Sequence, residues 1–265
     1  MTYSIGYSTW GYHVYAAETG SRLGLDLVWG EVARAGYRGI EICQALEDLP
    51  PAAECRRILD HHGIAAISHW VSVTFDRHCL EEAERRARFV RDVGGAILVC
   101  EGERQPAPLT KDQRSLFYDR FDAIGRVCER LGVQAAFHFH RGCLDTEQDV
   151  DDFFAHTQAV RFCPDIGHAA AVGWDPIPVL RRHRDKLVLV HLKDARRDPG
   201  TGAFERFVEL GQGNSGLDIE GCLDRLAEDG YRGWALVEQD QSSVSPSADA
   251  LVSRRYLETI GRWAP

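Results

Sequence analysis

The chain lacks any apolar run near the roughly 18 uncharged residues that a membrane helix needs. Its N-terminus, MTYSIGYSTW, has no basic segment followed by an apolar one, which is the pattern of a secretory signal. We therefore expect no membrane partner and no export signal.

The chain also lacks closely spaced cysteines, although it has eight in total. No CxxC pair predicts a structural zinc or a redox motif. Several cysteines stand in apolar runs such as IEIC and AILVC, as small core residues do. We expect reduced thiols in a protein of the cytoplasm.

Clusters of basic residues are missing as well. The formal net charge is −9, from 40 acidic and 31 basic side chains. Nothing gathers lysine and arginine into a face that could neutralise a phosphate backbone, so nucleic acid is an unexpected partner. Neither G-x-S-x-G nor the P-loop pattern occurs, which removes the usual support for a serine triad or ATP-driven phosphoryl transfer.

Short apolar runs alternate with helical patterns along the whole chain. The helical segments often end in a glycine suited to a left-handed C-cap, namely Gly36, Gly63, Gly94, Gly132 and Gly230. Eight strand–helix units without a break predict a single (β/α)8 TIM barrel over residues 1–265. The predicted strands are 3–8, 37–43, 64–71, 95–101, 133–140, 160–165, 186–192 and 233–239.

The motif GQGNSG at 211–216 formally matches the dinucleotide fingerprint G-x-G-x-x-G, and Glu238 follows it. A dinucleotide-binding fold needs this motif early, with a further half-sheet behind it, whereas about one strand and one helix remain here. In the barrel interpretation the motif is the loop between strand 7 and its helix.

Polar side chains are dense at the predicted carboxyl ends of the strands, where such barrels build their chemistry. A single histidine there is more often a core residue with one backbone partner, and for His69 or His168 alone this interpretation is favoured. The full set is less easily explained that way; it comprises Glu41, His69, Glu101, His138, His140, Asp165, His168, His191, Lys193 and Glu238.

Strand 5, VQAAFHFH, alternates so that Phe137 and Phe139 face one way and His138 and His140 the other. The aromatic side suits the helical layer, which leaves both histidines at the barrel mouth. His138, Asp165, His191 and Glu238 come from four consecutive strands and form a mixed nitrogen and oxygen set. Such a set suits a divalent Mn, Co, Fe or Zn ion with open positions for a ligand.

The segments PDIGHAAAVGWDPIPVLRRHRDKLVLVHLKDAR and GYRGWALVEQD resemble the xylose-isomerase-like TIM-barrel superfamily of sugar isomerases, epimerases and endonuclease IV relatives. Within it, the chain is most similar to the inosose (2-keto-myo-inositol) dehydratases. The resemblance implies that Asp165, His191 and Glu238 are metal ligands, with the fourth at the end of strand 5. The group's epimerases carry a glutamate at that position for a proton exchange between two carboxylates. This chain has His138 there, in an HxH pair similar to that of the inosose dehydratases.

The resulting hypothesis is a metal-dependent lyase that removes water from a polyhydroxylated cyclic ketone such as an inosose, with Mn, Co or Zn as cofactor. We expect His140 to be the base, because it shares a face with His138 and the reference pKa of an imidazole lies near neutrality. Lys193 or Glu41 is the expected acid or orients hydroxyls. His69, His168 and Arg196 are expected to bind substrate oxygens, with an exposed loop cation as an equal alternative for Lys193 and Arg196.

Three alternatives stay open. The first is a metal-dependent isomerase or epimerase of a free sugar or cyclitol. The second is a barrel that binds a sugar or a partner without catalysis. An abasic-site endonuclease is the third and poorest, since it needs more metal ligands and a basic face. A homo-oligomer is compatible with the sequence.

Overall fold

The computed structural model describes residues 2–105, 108–140, 142, 144–242 and 244–263. Eight parallel strands form a sheet in the order β6-β5-β4-β3-β2-β1-β10-β7. Two short backbone contacts complete the ring, because Val188 N donates to Phe162 O (3.1 Å) and His191 N donates to Pro164 O (2.9 Å). The predicted single (β/α)8 barrel is confirmed. The strands are β1 (Ser4–Ser8), β2 (Gly39–Ile42), β3 (Ala65–Val73), β4 (Ile97–Gly102), β5 (Gln134–His138), β6 (Arg161–Cys163), β7 (Leu189–Leu192) and β10 (Trp234–Val237).

Helices surround the barrel, and the five glycines predicted to end them all have φ between 64° and 94°. Thr110 begins the longest helix with a capping box, in which its side chain and that of Gln113 bond each other's backbone N–H. The helices are α1 (Trp10–Thr19), α2 (Leu25–Arg34), α3 (Ala52–His62), α4 (His78–Val93), α5 (Lys111–Arg130), α6 (Glu147–His156), α7 (Ile166–Ala171), α8 (Pro176–Arg182), α9 (Ile219–Glu228) and α10 (Pro246–Thr259).

Two features differ from the predicted elements. An antiparallel hairpin of β8 (Asp194–Arg197) and β9 (Phe204–Val208) stands between β7 and its helix. Strands β5 and β6 also end earlier than predicted, at His138 and Cys163. Strand β6 ends early because Asp165 caps α7, its Oδ1 accepting from the His168 backbone N–H at 2.9 Å.

The predicted alternation of strand β5 is confirmed. Phe137 packs between barrel and helices, with its ring centroid 4.3 Å from that of Phe153 on α6. Ala136 faces the barrel interior among Ile67, Val99 and other apolar side chains. His138 follows on the interior side, so the apolar layer forms the floor beneath it.

No helix in the described part of the chain is long and apolar enough to cross a membrane.

Gly125, on α5, tests the packing of the helical layer. A Cβ at Gly125 would lie 2.3 Å from the Ala159 carbonyl oxygen, and backbone cannot move aside as a side chain can. We expect Gly125→Ala to lower the free energy of unfolding by about 1–3 kcal/mol, measured by urea denaturation. Gly24→Ala is the matched control, because nothing lies within 4 Å of its added Cβ. Equal denaturation midpoints for the two variants would contradict the packing argument.

Candidate metal centre

Four side chains from neighbouring strands meet at the carboxyl end of the barrel. His138 ends β5, Asp165 follows β6, His191 lies in β7 and Glu238 follows β10. One ligand atom from each lies within 4.8 Å of the others, and all four residues are buried. The structure therefore brings together the four residues predicted to be metal ligands.

His138 is oriented as a metal ligand would be. Its Nδ1 lies 3.2 Å from the Cys163 carbonyl oxygen, which can only accept, so Nδ1 carries the proton. Nε2 is then the basic nitrogen, in the arrangement typical of metal-binding histidines. Burial, and then the neighbouring His191, lower the pKa of His138 to about 3, which keeps the ring in its neutral, ligating form.

The other three residues offer donors of the right chemistry. His191 Nδ1 contacts Glu238 Oε2. Within the described residues, His191 Nε2 makes no hydrogen bond, and Glu41 Oε1 lies 3.5 Å from it. Asp165 uses Oδ1 to cap α7, and its Oδ2 lies 3.1 Å from Lys193 Nζ. Imidazole and carboxylate donors in one buried group fit a divalent cation.

The charge balance around the group also favours a cation. Burial raises the pKa of Asp165 to about 6. Lys193 acts in the opposite direction, and the carboxylate of Glu238 raises this pKa further. Burial alone would raise the pKa of Glu238 too, but Lys193 and His191 outweigh it and hold that pKa below its usual range. Six carboxylates lie on or near the cavity wall, those of Glu41, Glu101, Glu103, Asp165, Glu238 and Asp240.

Lys193 forms ion pairs with three of these carboxylates. Its Nζ lies 2.8 Å from Asp240 Oδ1 and 3.1 Å from Asp165 Oδ2, and it sits 4.8 Å from the Phe207 ring. Burial lowers the pKa of Lys193, but Asp165 and Asp240 outweigh burial and hold it above the usual value. The alternative of an exposed loop cation is wrong for Lys193, which is 1% exposed. It is not among the residues that line the cavity.

A cavity of about 430 Å³ opens above the four residues. Two tryptophans absent from the predicted set, Trp10 and Trp70, form an aromatic wall with ring centroids 6.0 Å apart. Trp70 is held in place because its indole N–H donates to the Cys43 carbonyl and Arg86 lies 5.1 Å from its ring. Of the predicted site residues, those lining the cavity are Glu41, His138, His140, His191 and Glu238.

His140 stands at the cavity wall between groups of opposite charge. Its Nδ1 lies 3.5 Å from Glu101 Oε1, and Arg104 Nη2 lies 3.1 Å from its Nε2. Burial raises the pKa of Glu101 to about 7, with Arg104 acting in the opposite direction. The His140 ring packs on His168, which is fully buried at the start of α7, with centroids 3.6 Å apart. This group can move protons next to the predicted metal ligands.

Glu41 is fixed at the opposite side of the cluster. Ser8 Oγ donates to its Oε1 at 3.1 Å, and Ser68 Oγ donates to its Oε2 at 2.8 Å. Burial raises the pKa of Glu41, but the His191 beside it outweighs burial and lowers that pKa below its usual value. Glu41 thus stands as a carboxylate that faces both the cavity and His191.

None of the three residues predicted to bind substrate lines the cavity, and His168 is fully buried against the His140 ring. His69 shares the outward parity of Val71 on β3, and its ring packs edge-on against Phe89 of α4. Arg196 lies on the unpredicted hairpin and donates to the Gln212 carbonyl at 2.9 Å. Neither residue lines the cavity, so their positions do not support a substrate contact. His69 lies outside the cavity because of its parity on β3. Arg196 lies outside it because the β8–β9 hairpin is an insertion that the sequence periodicity did not reveal.

The GQGNSG segment forms a loop that Asp194 holds in place. Asp194 begins β8, shortly after the end of β7. Asp194 Oδ2 accepts from the backbone N–H of Gly211 and of Gly213, each at 3.0 Å. A Cβ at Gly213 would lie 2.0 Å from Asp194 Oδ1, so only glycine leaves room for the carboxylate. The dinucleotide interpretation is wrong, and the predicted loop between strand 7 and its helix is confirmed.

Comparison with known proteins agrees with this architecture. The family model described as Xylose isomerase-like TIM barrel matches residues 29–260. The chain is 28% identical to an inosose dehydratase of Geobacillus kaustophilus over 89% of this chain and 87% of that protein. It is 32% identical to the rhizopine catabolism protein MocC of Rhizobium meliloti, over 91% of this chain and 82% of that protein.

Among solved structures, a crystal structure of the IOLI protein with a bound zinc atom superposes with a TM-score of 0.78 at 18% identity. The superposition covers 98% of this chain and 99% of the other. At this identity the likeness concerns the fold alone.

Removing the Asp194 carboxylate tests how the loop is held. We expect Asp194→Asn to lower the free energy of unfolding by about 1–3 kcal/mol, because the N–H groups of Gly211 and Gly213 lose a charged, buried acceptor. Asp198→Asn is the control, since Asp198 accepts from the backbone of Gly200 and Thr201 in an exposed turn. Urea denaturation measures both; an equal loss in the two variants would disprove a special role for Asp194.

Proposed function

The chain belongs to the xylose isomerase-like TIM barrel family, and we propose that it is a metal-dependent lyase that dehydrates a polyhydroxylated cyclic ketone of the inosose type. One observation carries the proposal: two histidines and two carboxylates converge beneath a cavity large enough for a small cyclic polyol. Relatives named inosose dehydratase, which align over most of their length, support the same reaction.

His138, Asp165, His191 and Glu238 would hold the ion, for which we propose Mn, Co or Zn. When bound, a divalent ion supplies Lewis acidity that makes the C–H next to a ketone more acidic. The donor set and the surplus of carboxylates support this assignment.

Removal of water needs one group to take a proton from carbon and another to protonate the departing hydroxyl. We propose His140 as the base, because it lines the cavity with its ring centroid 5.9 Å from that of His138. Of the two predicted acids, Glu41 lines the cavity and Lys193 does not. Because Glu41 is held as a carboxylate, we propose that it orients hydroxyls. Glu101 is then the candidate acid, because its raised pKa of about 7 keeps part of it protonated near neutrality.

Trp10 and Trp70 give the cavity an apolar wall opposite its charged floor. A cyclic polyol presents C–H groups on its ring faces and hydroxyls at its edge, so it can bury the former against aromatic rings. The contacts of Trp70 with Arg86 and with the Cys43 carbonyl fix its ring, which supports a preformed wall.

The isomerase or epimerase alternative is less well supported. A proton exchange between two glutamates would need a second carboxylate at the end of β5, and His138 occupies that position. A barrel that binds a sugar without catalysis is a further alternative, and it does not explain why His140 lies between Glu101 and Arg104.

We also propose that the protein works in the reducing cytoplasm, an assignment supported by seven buried free cysteines among the described residues. Sedimentation can test for the homo-oligomer with which the sequence is compatible.

The activity is tested by stripping the protein with a chelator, adding back Mn²⁺, Co²⁺ or Zn²⁺, and supplying a panel of inososes and keto-sugars. We expect a metal-dependent ultraviolet chromophore from the enone or diketone product, together with an NMR spectrum of the dehydrated ring. His191→Ala should abolish it, because a ligand is lost.

Parallel reactions in deuterated water separate the alternatives. Deuterium incorporation or a new isomer without a chromophore would move the assignment to an isomerase or epimerase. Ligand binding that survives loss of the metal ligands, with no turnover, would favour the binding barrel.

His140 and His138 form a matched pair for the proposed roles. We expect His140→Gln to lower kcat by about 10²–10⁴-fold while Mn²⁺ affinity stays unchanged, because a base is lost but no ligand. His138→Gln should instead weaken Mn²⁺ binding about tenfold or more. Steady-state kinetics and metal titration check both; a normal kcat in His140→Gln would exclude it as the base.

A further inference from the structure

Cys163 lies directly beneath the candidate metal centre and has no part in the proposed reaction. It ends β6, pairs in register with His138 of β5 and is fully buried. Its side chain belongs to the apolar floor of the barrel interior, together with Leu189 and Leu236. Cys163 Sγ lies 3.6 Å from His138 Nδ1.

The two histidines can serve a second group of donors on this lower side. One ring nitrogen of His138, one of His191 and the Cys163 sulfur all lie within 4.8 Å of one another. In the upper group, His191 Nδ1 faces Glu238 and His138 offers Nε2. The other two nitrogens are His138 Nδ1, which lies beside the thiol and donates to the Cys163 carbonyl oxygen, and His191 Nε2, which is buried and makes no hydrogen bond within the described residues.

The two groups differ in the ions that they favour. The upper group combines imidazole with two carboxylates, which accept hard ions such as Mn²⁺ and Mg²⁺ as well as Zn²⁺. The lower group combines imidazole with a thiolate, and thiolates select soft or borderline ions. The Cys163 thiol beside the two histidines therefore adds a donor that favours soft or borderline ions over hard ones.

We propose that His138, Cys163 and His191 form a second, thiolate-containing metal position beneath the carboxylate-bearing one, and that Zn²⁺ or Co²⁺ occupies it. Both positions use the same two histidines, so a single ion takes one or the other. When the metal–sulfur bond forms, the S–H bond breaks and its proton passes to solvent. To bind in the lower position, His138 gives up the hydrogen bond from Nδ1 to the Cys163 carbonyl, coordinates through Nδ1 and carries its proton on Nε2 instead. The proposal rests on the proposed function only through these shared histidines.

Such a position has a consequence for the proposed reaction. Cys163 is not among the residues that line the cavity, so an ion bound to its sulfur lies below the space open to substrate. Zn²⁺ held there should support turnover less well than Mn²⁺ held by the carboxylates.

The experiment loads the stripped full-length protein with Co²⁺ and records its absorption spectrum. We expect a near-ultraviolet thiolate-to-cobalt charge-transfer band that Cys163→Ser removes. Cys43→Ser is the matched control, because Cys43 is a buried thiol that lines the cavity but lies outside the histidine group; it should keep the band. Competition titrations should show Zn²⁺ affinity reduced about tenfold or more in Cys163→Ser, with Mn²⁺ affinity unchanged.

Absence of the band from the unmodified protein would overturn the proposal, whether or not a variant folds. So would a band that persists in Cys163→Ser and Cys163→Ala, or an equal loss of Zn²⁺ and Mn²⁺ affinity. Failure of the proposed function has a different signature, because an inactive protein would lack turnover with every ion while its cobalt spectrum is measured independently.

Discussion

The seam between β6 and β7 is the constraint on which the candidate site depends. These strands share few backbone contacts, yet the bond from His191 N to the Pro164 carbonyl fixes their relative position. Asp165 and His191 are bridge partners there, and so their side chains emerge together at the barrel mouth. Without this closure, β6 and β7 would be the opposite edges of an open sheet, and His138 on β5 would lie far from Glu238 after β10.

Closure brings several buried carboxylates close together, and the surrounding structure compensates for their charge. Lys193 reaches up between Asp165 and Asp240, and Gly167 leaves room for its stem, because a Cβ at Gly167 would lie 2.6 Å from Lys193 Cβ. One ammonium cannot neutralise all the acidic groups around it. The remaining negative charge is what gives a divalent cation its favourable environment, and the neutral His138 adds a donor without adding charge.

Much of this could be predicted from the sequence because a parallel barrel gathers the carboxyl ends of its strands at one end. Positions after apolar runs predict the cluster of His138, Asp165, His191 and Glu238. The resemblance to a known superfamily implies three of them as ligands and a fourth at the end of strand 5, where this chain has His138. Strand parity also placed Phe137 outward and His138 inward.

What could not be predicted depends on loops and on side chains that are brought together by tertiary packing. Trp10 begins α1 and Trp70 lies in β3, and no local pattern marks them as facing one cavity. The β8–β9 hairpin interrupts the strand–helix alternation, so Arg196 was expected at the mouth and lies on that hairpin. His69 was included for its position near a strand end, although its parity matches Val71, which packs against the helices.

The most direct test of the account is a crystal structure of the Mn²⁺-loaded protein with anomalous diffraction recorded at the manganese edge. The account predicts one strong anomalous peak about 2.0–2.3 Å from donor atoms of His138, Asp165, His191 and Glu238. A peak at the exposed group of Asp26, His61 and His62 instead, with none at the barrel mouth, would contradict it.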